Sequence, residues 1–164
     1  MRLLLATFLL CFSTLVSAAE TRFDSLYFFQ SEQTMQAKGI TVDNLGRYSR
    51  KLQSAIYRAL KNVKMPPSSG YLVVAIRADG VVTSWLDMKP AVHEFYDNQI
   101  YDIVQKLPVM DVQSGVFVFA IKMSIDTPVF TKKAVPEPAD WVEAKKKISN
   151  PNDIEQLVLS IWPE

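Results

Sequence analysis

Few residues in this chain could do chemistry. The single histidine stands in His93-Glu94-Phe95-Tyr96-Asp97. A zinc-protease helix needs two histidines four positions apart, so that both imidazoles leave one helical face toward the metal. Position 97 is Asp, no second His exists, and the only cysteine is Cys11. A tetrahedral zinc site therefore lacks ligands, and His93 reads as a surface residue near a helix start. Glu94, Asp97 and Asp102 could pair as general acid and base. They sit among polar neighbours on an amphipathic helix, where solvated charge is the simpler reading. Ser68-Ser69-Gly70 lacks the strand–turn–helix setting of a nucleophile elbow, and Ser49-Arg50-Lys51 has the wrong spacing for Ser-x-x-Lys. Five glycines, most of them at turns, form no phosphate loop. The expectation is a protein without cofactor, metal or catalytic site.

One charged constellation remains. Between Leu45 and Lys64 there are six basic residues and no acidic one. Arg47, Arg50, Lys51, Arg58 and Lys61 fall on one arc at 100° per residue. Leu45, Tyr48, Leu52, Ala55, Ile56, Ala59, Leu60 and Val63 fall on the opposite arc. A solvated helix face accounts for such a pattern. Neighbouring like charges nevertheless repel modestly, so the face is not optimised for helix stability. A dock for an acidic partner, or for an anionic envelope polymer or lipid surface, is the functional reading.

The elements that position these residues are legible in outline. Residues 43–63 form a helix capped by Asp43 or Asn44 and closed by Met65-Pro66-Pro67. Tyr71 to Arg77 and Val81 to Asp87 are strands joined through Asp79-Gly80, a strong hairpin signal in which both turn positions would take positive φ. A second helix spans residues 91–107 and stops at Pro108. Gly115 to Asp126 is the longest strand. Phe117, Phe119, Ile121, Met123 and Ile125 should face the helices. Its other face is also apolar, with Val116, Val118 and Ala120 beside Val73 and Ala75, so something should cover it. The covering candidates are the aromatic segment Phe23 to Phe29 and a last helix after Asn150-Pro151-Asn152-Asp153. The last helix carries Ile154, Leu157, Val158 and Ile161 on one stripe. Residues 20–40 have no clear period, and residues 127–140 read as an extended, proline-containing linker.

The N-terminus reads as an export signal. Arg2 precedes a run from Leu3 to Val16, and Val16-Ser17-Ala18 and Ser17-Ala18-Ala19 both suit signal peptidase. A helix of those residues would rise about 21 Å, short of the roughly 30 Å of a hydrocarbon core. Leu10 before Cys11 argues against a lipoprotein. Cleavage removes the one cysteine and leaves 17 basic against 17 acidic residues. No global charge then favours nucleic acid. The remaining chain, about 145 residues long, suits one domain with its own core.

The ordered set Tyr48, Leu52, Ile56 and Leu60, then Met65-Pro66-Pro67, Gly70, Val74 to Val82 around Asp79-Gly80, Phe95 and Asp97, and Leu107-Pro108 resembles the C-terminal domain of the TonB/TolA superfamily, TolA's most closely. The resemblance covers residues 45–126. It implies an α+β fold: a two-layer, three-stranded antiparallel sheet with two helices on one face, here extended by a C-terminal helical tail. It also implies an adaptor that accepts an added strand at a sheet edge. By analogy the edge is the strand carrying Val116, Val118, Ala120 and Lys122. This chain departs from the family in its cleavable leader and in lacking a long spacer.

The expected layout is a signal peptide over residues 1–18, an N-terminal segment over 19–41, the TonB/TolA-like domain over 42–126, and a linker with a helical tail over 127–164. The expected function is that of a periplasmic adaptor in a Gram-negative envelope. It would bind periplasmic or outer-membrane proteins and would not transduce force by itself. The alternative is a structural or accessory subunit of an envelope assembly such as a secretion apparatus.

Overall fold

The computed structural model describes residues 20–163. The predicted signal peptide at residues 1–18 lies outside the described residues. Among the described residues the fold is a mixed α/β arrangement around one four-stranded antiparallel sheet, with five short or medium helices. In chain order the strands are β1 (Thr21–Phe28), β2 (Ser68–Arg77), β3 (Val82–Lys89) and β4 (Val116–Ile125). The helices are α1 (Glu32–Ala37), α2 (Val42–Leu60), α3 (Glu94–Lys106), α4 (Ala139–Lys145) and α5 (Ile154–Ser160). The sheet order is β1-β4-β2-β3.

The fourth strand corrects the three-stranded expectation. β1 pairs antiparallel with β4, from Thr21 opposite Ile125 to Phe28 opposite Phe119. Its register slips between Phe23 and Leu26. That irregularity explains why the segment resisted reading. A bulge inserts an extra residue and breaks the two-residue period. Phe23 and Leu26, three apart, thus reach the same core, a spacing that looks helical, while Tyr27 and Phe29 turn to the other face.

α2 starts one residue earlier than predicted and has a different cap. Thr41 is the N-cap. Its hydroxyl accepts from the Asn44 N–H at 3.2 Å, and Asn44 Oδ1 accepts from the Thr41 N–H at 2.8 Å. This is a capping box with Asn in the third position. Leu45, Tyr48, Leu52, Ile56 and Leu60 are buried along the helix. At α3, Nδ1 of His93 accepts the Phe95 N–H at 3.1 Å, so the lone histidine is a helix cap.

The β2–β3 hairpin also differs in detail. Gly80 takes φ +82°, but Asp79 is not among the positive-φ residues. Gly80 N–H donates to Arg77 O and Arg77 N–H donates to Val81 O. The loop is therefore a three-residue connection with its left-handed residue last. At the other end of the hairpin, Gly70 has no room for a side chain, because a Cβ there would fall 1.9 Å from the Asp87 carbonyl oxygen.

Two cores sandwich the sheet. Phe117, Phe119, Ile121, Met123 and Ile125 join Leu72, Val74 and Ile76 with α2 and α3. The opposite face, with Val73, Ala75, Val116, Val118 and Ala120, is covered by Trp141 and Ala144 of α4 and by Leu157 and Val158 of α5. The expected cover is thus the tail, with Tyr27 and Phe29 from the N-terminal segment packed beside it. The strand between the two cores is apolar on both faces because both faces are buried.

The linker from β4 to α4 is pinned rather than loose. Asp87, only 9% exposed in its side chain, accepts from Lys133 Nζ at 2.6 Å and from the Glu137 N–H at 2.7 Å. The Tyr71 hydroxyl donates to Lys133 O at 2.7 Å. These bonds hold the linker against the end of β3 and deliver Trp141 to the sheet.

Candidate functional site

The strand expected to be the open edge is closed. β4 lies between β1 and β2, so both of its hydrogen-bonding sides have partners. Where β1 stops short, side chains continue the pairing. Gln30 Nε2 donates to Val116 O at 2.7 Å, and Gln30 Oε1 accepts from the Val118 N–H at 3.1 Å. The Glu155 carboxylate accepts from the Val116 N–H at 2.9 Å. Val116, Val118 and Ala120 are at most 1% exposed beneath α4 and α5. Lys122 is half-buried, 3.8 Å from Asp24. In this fold Val116, Val118 and Ala120 are covered, while Lys122 keeps part of its side chain exposed. The physical reason is that the aromatic N-terminal segment is itself a strand and occupies the edge.

The sheet's free edges are β1 and β3. β1 carries the bulge at Asp24–Ser25, with Arg22, Asp24 and Ser25 exposed. Bulges and charges are devices that discourage edge pairing. β3 has no bulge, but α3 and the tail flank it, and Val82, Ser84 and Met88 are buried. Arg77 N–H donates to Val81 O at the hairpin end. Antiparallel alternation then turns the backbone groups of Thr83, Trp85 and Asp87 toward β2, and those of Val82, Ser84, Leu86 and Met88 outward. Gln105 Nε2 donates to the Val82 carbonyl at 2.6 Å, which agrees with that assignment. Among the described residues, no hydrogen bond reaches the outward groups of Ser84 or Leu86.

This stretch of β3 forms the floor of a cleft of about 390 Å³. Asp97, Asn98 and Tyr101 of α3 make one wall, and Pro138, Ala139 and Asp140 of the tail make the other. Thr83 lines the cleft and is fully buried, and its hydroxyl has no partner. Asp97 keeps much of its surface exposed. Loss of solvation on its cleft side, then the charges of Asp140 and Glu94, nevertheless hold its carboxyl above the ordinary carboxylate value. No ion pair offsets Asp97 or Asp140 among the described residues.

The second candidate is the basic face of α2. Arg47, Arg50, Lys51, Arg58 and Lys61 are all exposed. The structure brings four of them together along one open groove of about 830 Å³, and Lys61 lies outside its lining. Phe23 of β1, Tyr57 of α2 and Leu107 after α3 provide the groove's apolar surface. The eight ion pairs of the described residues use none of these five cations.

Sequence reasoning missed the β3 cleft. The Asp79-Gly80 hairpin was visible, but which of its strands ends at an edge depends on where β1 and β4 insert. Among the described residues no group of three or more His, Cys, Asp or Glu side chains is placed to hold a metal, and no helix is long and apolar enough to cross a membrane. No family model, curated protein or solved structure matches the chain.

Proposed function

We propose that this protein is an exported binding module, a periplasmic adaptor of the cell envelope that acts through contact and not through catalysis. The observation that carries this reading is the unpaired outer edge of β3. Its Ser84 and Leu86 backbone groups face outward at the floor of a cleft. An extended segment of a partner could add there as a fifth strand, with main-chain bonds supplying affinity and the cleft walls supplying selectivity. The leader-like N-terminus supports export, and the resemblance of residues 45–126 to the TonB/TolA C-terminal domain supports an adaptor role. Strand addition moves from β4, where the resemblance put it, to β3. The tail that walls the cleft is this chain's own feature and would narrow the choice of partner.

Ser84→Pro tests this reading. Proline at this position deletes one outward N–H and leaves the β2 ladder intact, as tolerated on edge strands. A photo-crosslinking residue at Asn98, in the cleft wall, should capture an envelope protein in intact cells. The Ser84→Pro change should abolish that capture while the circular dichroism spectrum stays native. Capture unchanged by the proline would overturn strand addition.

A further inference from the structure

A second surface points to a partner of different chemistry. The rim cations of the α2 groove run from Arg47 to Arg58, about 16 Å along a helix at 1.5 Å per residue. That length matches about five residues of extended chain at 3.3 Å each. No acidic side chain lines the groove. Asp111 lies in an adjoining hollow with Arg47 and Lys51 but forms no ion pair with either.

We infer that this groove binds an acidic segment of a partner protein that carries an apolar or aromatic residue among its carboxylates. Three arginines offer planar forks suited to carboxylates. Phe23, Tyr57 and Leu107 offer an apolar seat between them. A membrane surface fits less well. Peripheral helices hold a membrane by burying their own apolar face in it, and the apolar face of α2 is spent in the protein core. The groove is also independent of the β3 cleft. It belongs to the α2 side of the molecule and uses neither β3 nor the tail, so it can be occupied whether or not a strand adds at β3.

The test is fluorescence anisotropy with the whole exported chain and a labelled six-residue Asp/Glu peptide containing one Phe. Binding should saturate and weaken as salt is raised. Arg47→Glu, Arg50→Glu and Arg58→Glu together should weaken it at least tenfold, with the circular dichroism spectrum unchanged. Arg50→Gln with Arg58→Gln should weaken it several-fold, which covers the case of a poorly folded triple variant. Reversing Lys89, Lys132 and Lys147 to Glu should leave it unchanged, because those cations lie elsewhere. Replacing the peptide's Phe by Ser should weaken it several-fold. Three results would each overturn the assignment: no saturable peptide binding, equal binding by the triple reversal, or binding to anionic phospholipid vesicles without binding to the peptide. The Ser84→Pro change leaves this assay untouched, so failure of one surface is read separately from failure of the other.

Discussion

The Lys38 ammonium lies 2.8 Å from the Glu155 carboxylate, tying the residue that ends α1 to the first turn of α5 across the end of the sheet. Lys38 is 7% exposed in its side chain and also donates to Ser114 O at 3.0 Å, whereas Glu155 is 33% exposed. Glu155 in turn receives the Val116 N–H of β4. One carboxylate therefore closes the sheet edge and neutralises a buried cation.

Removing that carboxylate leaves the ammonium with no charge partner. Glu155→Ala should cost about 2–3 kcal/mol, somewhat less than the roughly 3–5 kcal/mol of a fully enclosed pair, because Glu155 is partly solvated. Lys38→Met combined with Glu155→Gln should recover most of the loss, since the glutamine oxygen can still accept from Val116 and no charge stays buried. Urea midpoints for Glu155→Ala and for the Lys38→Met, Glu155→Gln double variant check this. A Glu155→Ala midpoint equal to that of the wild type would show the pair to be idle.

Trp141 is 1% exposed and packs edge-on against Trp85 and tilted against Phe29, with ring centroids 5.7 and 5.2 Å away. It joins the tail to the sheet. Trp141→Ala should cost about 3–5 kcal/mol through the cavity it leaves. Its indole N–H has no partner, so Trp141→Phe, which deletes that buried donor, should cost under about 1.5 kcal/mol. Deleting residues 136–164 should lower the melting temperature and raise binding of an apolar dye, because Val116, Val118 and Ala120 would lose their cover. A truncated protein that melts with the intact one would show that the tail does not support the domain.

The surroundings of Asp97 set the sign of a pH dependence in the cleft. Its carboxyl is held above the ordinary value first by lost solvation, then by Asp140 and Glu94. The folded state thus favours the protonated form. The resulting stabilisation is present below the unfolded carboxyl value and disappears as pH rises through the folded one. Asp97→Asn should raise the melting temperature slightly at pH 7 and leave it unchanged at pH 3. Calorimetry at the two pH values decides the matter, and an equal rise at both would remove ionisation of the Asp97 carboxyl as the cause.

How much of this was legible in the sequence depended on range. The basic arc of α2, the apolar arc beneath it, the hairpin at Asp79-Gly80 and the two-faced apolar character of β4 all follow from periods of 3.6 and 2. Each period needs only residues close in the chain. The demand for a cover over Val116, Val118 and Ala120 followed as well, because apolar faces on both sides of a strand require two cores. Which strand lay at the edge was decided only in three dimensions. The bulge at Asp24–Ser25 hid β1 from periodicity, and pairing of Tyr27 with Ala120 joins residues far apart in sequence. That one insertion buried Val116, Val118 and Ala120 of β4 and left β3 as the sheet's other edge. It also set Phe23 beside the arginines of α2, making a groove from what the sequence alone presented as a charged helix face.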